Sequence, residues 1–65
     1  MKWITDKNQI KNGYVFKYEN EYYLKVGSRA VKINYGNTTF KLFKNIEEDK
    51  IEQVFRASGK PLIEE

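Results

Sequence analysis

The run Tyr14-Val15-Phe16-Lys17-Tyr18-Glu19-Asn20-Glu21-Tyr22-Tyr23-Leu24-Lys25-Val26 decides the fold class. Large apolar residues recur at every second position on both sides of a short polar break, which is the period of a half-buried strand and not of a helix. In the first half Tyr14, Phe16 and Tyr18 share one side. With Glu19-Asn20-Glu21 taken as the connection, Tyr22, Leu24 and Val26 fall on one side of the second half, with Tyr23 and Lys25 on the other. Two such runs around a tight polar link read as a β-hairpin.

Reading outward, Asn12-Gly13 marks a turn before the hairpin and Gly27-Ser28 one after it. Ala30-Val31-Lys32-Ile33-Asn34-Tyr35 makes a third strand with Val31, Ile33 and Tyr35 on one side. Gly36-Asn37 suits a two-residue turn, and Thr38 to Phe43 gives a fourth strand with Phe40 and Leu42 inward. The segment after Phe43 supports two readings. Asn45 ahead of Ile46-Glu47-Glu48 resembles a helix N-cap, and Ile51, Val54 and Phe55 have helical spacing, which predicts a helix over about 46–57. Alternatively Glu47-Glu48-Asp49 is a turn and Lys50 to Arg56 a fifth strand, with Ile51 and Phe55 on one face and Gln53 sharing it.

The chain has 65 residues, enough for a single small β domain spanning 1–65 with one thin core. Without cysteine it has no disulfide to reinforce that core. Five Tyr, four Phe and one Trp are more rings than such a core easily hides, so some of Trp3, Tyr14, Tyr18, Tyr23, Tyr35 and Phe43 should reach the surface. Trp3 is expected to plug one end of the fold. The opening residues lack the apolar stretch of a signal peptide and no segment has the length of a membrane span, so the expected setting is the cytoplasm.

Absence of both His and Cys excludes a Ser/His/Asp relay, a cysteine nucleophile and a His/Cys zinc site. Glu47, Glu48 and Asp49 lack the ligand spacing of a calcium loop and read as a solvated turn or helix start. The glycines lie in separate turns and make no phosphate cradle. No catalytic residue, cofactor or metal is therefore expected. Function should be binding.

Residues 1–46 carry nine Lys/Arg against three acids, and residues 47–65 three against six. With Phe16, Tyr22, Leu24, Val31, Ile33, Phe40 and Leu42 inward, the period-2 rule turns Lys17, Lys25, Lys32 and Lys41 outward on successive strands. Tyr23 and Phe43 join that side and Arg29 sits at a loop beside it. Lys17, Tyr23, Lys25, Arg29, Lys32, Lys41 and Phe43 are thus the candidate partner-binding residues. Such a face suits a protein partner, or single-stranded nucleic acid, whose phosphates meet lysines while bases stack on rings. The plainer reading is that these lysines solvate the wet face and discourage edge pairing. A homodimer through an edge strand would use the same rings.

The stretches Ile10 to Tyr18 and Glu21 to Val26, with Ala30-Val31-Lys32-Ile33 and, more loosely, Ile51-Glu52-Gln53-Val54-Phe55, resemble a pattern found in small proteins of phages and prophages of low-GC bacteria. The resemblance covers about residues 10–55. It implies a five-stranded antiparallel SH3-like β-barrel, which places a fifth strand ahead of the four-stranded sheet plus helix. It also implies a phage accessory role, with a bacterial host or defence protein as the partner that is bound and modulated, inhibition being the expected effect. Nucleic-acid binding and a structural place in a virion or oligomer are the alternatives. Fold alone assigns no functional residue.

Overall fold

The computed structural model describes residues 2–33 and 39–64. The expected Gly36-Asn37 turn, with Asn34, Tyr35 and Thr38, lies outside the described residues. Seven strands are present among those described: β1 (Lys2–Trp3), β2 (Val15–Tyr18), β3 (Glu21–Val26), β4 (Arg29–Lys32), β5 (Phe40–Leu42), β6 (Ile51–Phe55) and β7 (Ile63–Glu64). Five form an antiparallel sheet in the order β5-β4-β3-β2-β6, and β1 pairs with β7 in a separate two-stranded sheet. The chain is mainly β, as its alternation predicts. The five-stranded sheet is not closed into a barrel, because β5 and β6 stand at its opposite edges.

The β2–β3 hairpin corrects the facing expected from sequence. Its connection is two residues long, with Glu19 at φ 50° and Asn20 at φ 66°, the paired positive φ values of a type I′ turn. Tyr18 therefore faces Glu21 across the ladder, and Phe16 faces Tyr23. A three-residue link including Glu21 would have set Phe16 opposite Leu24. One residue of slip moves every side chain of a strand to the other face. Tyr23 is accordingly buried, and Tyr22, Leu24 and Val26 lie on the opposite side from Phe16. Because β4 and β5 take their register from β3, Val31, Ile33, Phe40 and Leu42 turn over with them.

The ambiguous last segment is a strand, so the helix over 46–57 does not form. Lys17 pairs with Gln53 but Tyr18 pairs with Ile51, which leaves Glu52 as the extra residue of a bulge. The bulge explains the helix-like signal. It brings Ile51 and Val54, three apart, onto the same buried face, while Gln53 is carried to the other. Chain from the C-terminal side then covers the outer edge of β6: Leu62 N–H donates to the Val54 carbonyl at 2.8 Å, and Arg56 N–H to Lys60 at 2.7 Å.

The core lies on one face of the sheet. Phe16, Tyr18, Tyr23, Ala30, Ile51 and Val54 point into it, and Ile10, Ile46 and Leu62 cover them from the connecting segments. Phe16 stacks on Tyr23 with centroids 5.8 Å apart, and Phe43 meets Phe16 edge-on at 5.9 Å. Burial pushes the Tyr23 phenol above its ordinary pKa of 10.0, and the nearby Glu19 and Glu21 charges add to the shift.

Polar contacts hold the covering segments in place. Asp6 accepts from Asn8 N–H to cap a short 3-10 turn at Lys7–Gln9, and Lys7 N–H donates to Glu48 Oε2 at 2.7 Å. Lys7 Nζ donates to the Ile46 carbonyl at 2.7 Å, and Glu47 N–H to the buried Tyr18 hydroxyl at 3.2 Å. Trp3 does not plug a barrel end. It is half-buried, edge-on to Phe55 at 5.4 Å.

Candidate functional site

The face of the sheet opposite the core is apolar as well. Its cross-strand pairs form rows of neighbouring side chains. Phe55, Val15, Leu24, Val31 and Phe40 run across five strands; Val26, Arg29 and Leu42 form a second row, and Gln53, Lys17 and Tyr22 a third. Ile33 extends the third row, since its N–H donates to the Tyr22 carbonyl at 2.8 Å. The centre of the face is half-buried by neighbouring side chains, but its periphery is open: Tyr22 is 42% exposed, Phe40 46%, Val26 50%, Ile33 51% and Leu42 38%.

These exposures are high for residues of this size arranged contiguously. An apolar surface shared by adjacent strands costs solvation free energy until something covers it, and such patches mark interaction sites. The Arg29 guanidinium lies 4.7 Å from the centre of the Phe40 ring, so the cation sits on the apolar face.

The residues expected to bind a partner are not brought together as one stripe. Tyr23 is in the core. Lys17 lies on the open apolar face, whereas Lys25, Lys32 and Lys41 share the core side of the sheet. Lys25 is engaged locally: its Nζ donates to the Gly27 carbonyl at 2.8 Å and to Asn12 Oδ1 at 3.2 Å, and it lies 4.9 Å from the Phe43 ring centre. Lys7 approaches the same ring at 5.0 Å, so half-buried Phe43 belongs to a lysine-flanked structural contact. Lys32 pairs with Glu21 at 3.7 Å and Lys17 approaches Glu52 at 4.0 Å, surface pairs worth little stability. Arg29 and Lys41 are exposed and form no ion pair among the described residues.

Depressions among the described residues flank the sheet. One, of about 380 Å³, has mainly apolar walls from Ser28, Leu42, Phe43 and Lys44 at the end of β5. Another, of about 320 Å³, lies at the β2–β3 turn between Glu19, Asn20, Asp49, Lys50 and Glu52. Glu47 and Lys50 form an ion pair at 2.9 Å beside it, which raises the Lys50 pKa, and Glu48 is spent on Lys7 N–H. The Glu47-Glu48-Asp49 run is therefore a strapped surface turn. No group of three or more His, Cys, Asp or Glu is placed to hold a metal among the described residues.

Tyr22, Leu24, Val31, Ile33, Phe40 and Leu42, which the alternation predicts inward, form this open face together with Val26. The ring count predicts exposed aromatics but does not locate them: Tyr18 and Tyr23, among the rings expected at the surface, are buried, and Tyr22 and Phe40 are exposed instead. Ten aromatics plus two aliphatic sets exceed one thin core. No helix among the described residues is long and apolar enough to cross a membrane. No protein-family model, curated protein or solved structure gives a significant match to the chain.

Proposed function

We propose that this chain is a non-enzymatic binding module that docks a protein partner on the open apolar face of its five-stranded sheet. The observation that carries the reading is the contiguous exposure of Tyr22, Val26, Ile33, Phe40 and Leu42 around the half-buried Leu24 and Val31. Interfaces draw their energy from apolar and aromatic side chains of this kind, with arginine often among the energetic centres. Arg29 holds that position here.

The likeness of residues 10–55 to phage and prophage proteins supports an accessory role, with a cytoplasmic bacterial host or defence protein as the partner to be modulated. A four-strand meander, β2 to β5, followed by a further strand, β6, that returns beside β2 is also the strand order of small five-stranded barrels, which supports the SH3-like reading. Nucleic-acid binding is the weaker reading, because Lys25 and Lys32 have partners within the chain and Lys17 is on the other face.

The double substitution Val26→Lys with Phe40→Lys tests the proposal. Both side chains are about half exposed, so the thermal midpoint should move by no more than a few degrees. A partner captured stoichiometrically from nuclease-treated host lysate by the wild-type chain should be lost with the variant. Retention of that partner by a folded variant would rule the face out.

A further inference from the structure

We infer that the partner contributes an extended segment, alternating apolar and acidic residues, which adds as a sixth strand to the β5 edge; this rests on the open-face reading and specifies what docks there. The two edges of the sheet are unlike. β6 is covered by the segment that returns through Pro61 and Leu62. β5 has no neighbour on its outer side among the described residues.

The hydrogen-bond pattern shows which groups are offered. Lys32 N–H donates to the Thr39 carbonyl and Phe43 N–H to the Ser28 carbonyl, so Thr39, Lys41 and the Phe43 N–H face β4, the Phe43 carbonyl accepting instead from Ile46 N–H. In an antiparallel ladder the alternate residues face the other way. The N–H and C=O of Phe40 and the N–H of Leu42 therefore point off the edge, while the Leu42 carbonyl opens the 3-10 turn Phe43–Asn45. Their side chains lie on the apolar face, in line with Val31 and Arg29. An added strand would satisfy those backbone groups and lay every second side chain beside Phe40 and Leu42. The apolar depression between Ser28, Leu42, Phe43 and Lys44 lies at the end of the same edge and offers a socket for one further side chain.

Charge sets the chemistry of the segment. From Tyr22 to Ile46 the sequence holds five Lys/Arg and no Asp or Glu. Arg29, Lys41 and Lys44, the cations on β5, its neighbour strand and its socket, form no ion pair among the described residues. Carboxylates at the alternate positions of the incoming strand fall on the Lys41 side of the sheet and would meet that lysine, while Arg29 stays on the Phe40 ring on the apolar face. A second copy of this chain would instead bring like charges together. In the two-fold register that aligns β5 with itself, Lys41 faces Lys41, an arrangement that lysines on edge strands serve to prevent.

The probe is a blocked peptide, acetyl-(Glu-Val)3-amide, titrated into the 15N-labelled chain. The Phe40 and Leu42 amide signals should shift, with the charge-reversed (Lys-Val)3 peptide at least about tenfold weaker. Leu42 has φ −74° and ψ 131°, values proline adopts, and Lys41 before it is extended, so Leu42→Pro removes only an outward N–H from the backbone. Leu42→Pro should bind about fivefold more weakly than Leu42→Ala, which keeps that donor. Should the proline variant unfold, peptides N-methylated on one or the other alternate set of residues replace it, and one set should abolish binding while the other is tolerated. Absence of binding at millimolar peptide, equal weakening by Pro and Ala, or indifference to the N-methylation pattern would overturn the inference. So would a wild-type dimer that Leu42→Pro dissociates. Loss of the captured host partner with Val26→Lys and Phe40→Lys would leave the face reading standing even then.

Discussion

Replacing Phe16 with alanine is expected to abolish cooperative folding. Phe16 is fully buried, stacked on Tyr23 and met edge-on by Phe43, so truncation removes the piece that joins the sheet to its covering segments. A buried Phe→Ala change costs ~3–5 kcal/mol, and a single core in a chain this small supplies ~3–5 kcal/mol in all. The two are comparable, and no disulfide stands behind the core. Far-UV circular dichroism through a urea titration should show no native baseline for the variant. A sharp transition displaced by less than ~1.5 kcal/mol would mean that the core does not depend on this ring.

The adjacent tyrosines give the second large effect, and a contrast. Tyr23 is 4% exposed and packs against both Phe16 and Tyr18, while Tyr22, next in the chain, is 42% exposed on the other face. Tyr23→Ala should cost ~2–4 kcal/mol, and Tyr22→Ala ~1 kcal/mol or less. Denaturant midpoints of the two variants should therefore separate widely. The reverse order would restore the slipped register, with Tyr22 inward.

That contrast shows how far the fold could be read from the sequence. Strand positions were legible because β-branched and aromatic residues alternate with polar ones from Val15 to Lys32, and because Gly27 supplies the positive φ, 60°, that the second turn requires. The face was not legible. It depends on whether Glu21 belongs to the turn or to the strand, and that one residue decides whether Tyr23 or Tyr22 meets Phe16. The helix-like spacing of Ile51 and Val54 misled for a related reason, since a bulge at Glu52 imitates a three-residue period.

The candidate site followed the same logic. The apolar set on β3, β4 and β5 was correctly grouped, because Leu24, Val31 and Phe40 do lie in one cross-strand row. Its assignment to the interior follows from counting Glu21 in the turn, which sets Leu24 opposite Phe16. Lys25 and Lys32 looked free because their partners, the Gly27 carbonyl, Asn12 and Glu21, follow from turn geometry and diagonal neighbours that alternation does not encode.

This sheet covers one apolar face with its own chain and leaves the periphery of the other exposed. Paramagnetic relaxation of side-chain methyl signals by a soluble, uncharged gadolinium chelate tests this asymmetry most directly. Methyls of Val26, Ile33 and Leu42 should relax strongly while those of Ile51, Val54 and Leu62 are spared. Equal protection of both sets would show that the second face is already covered, and would contradict the account.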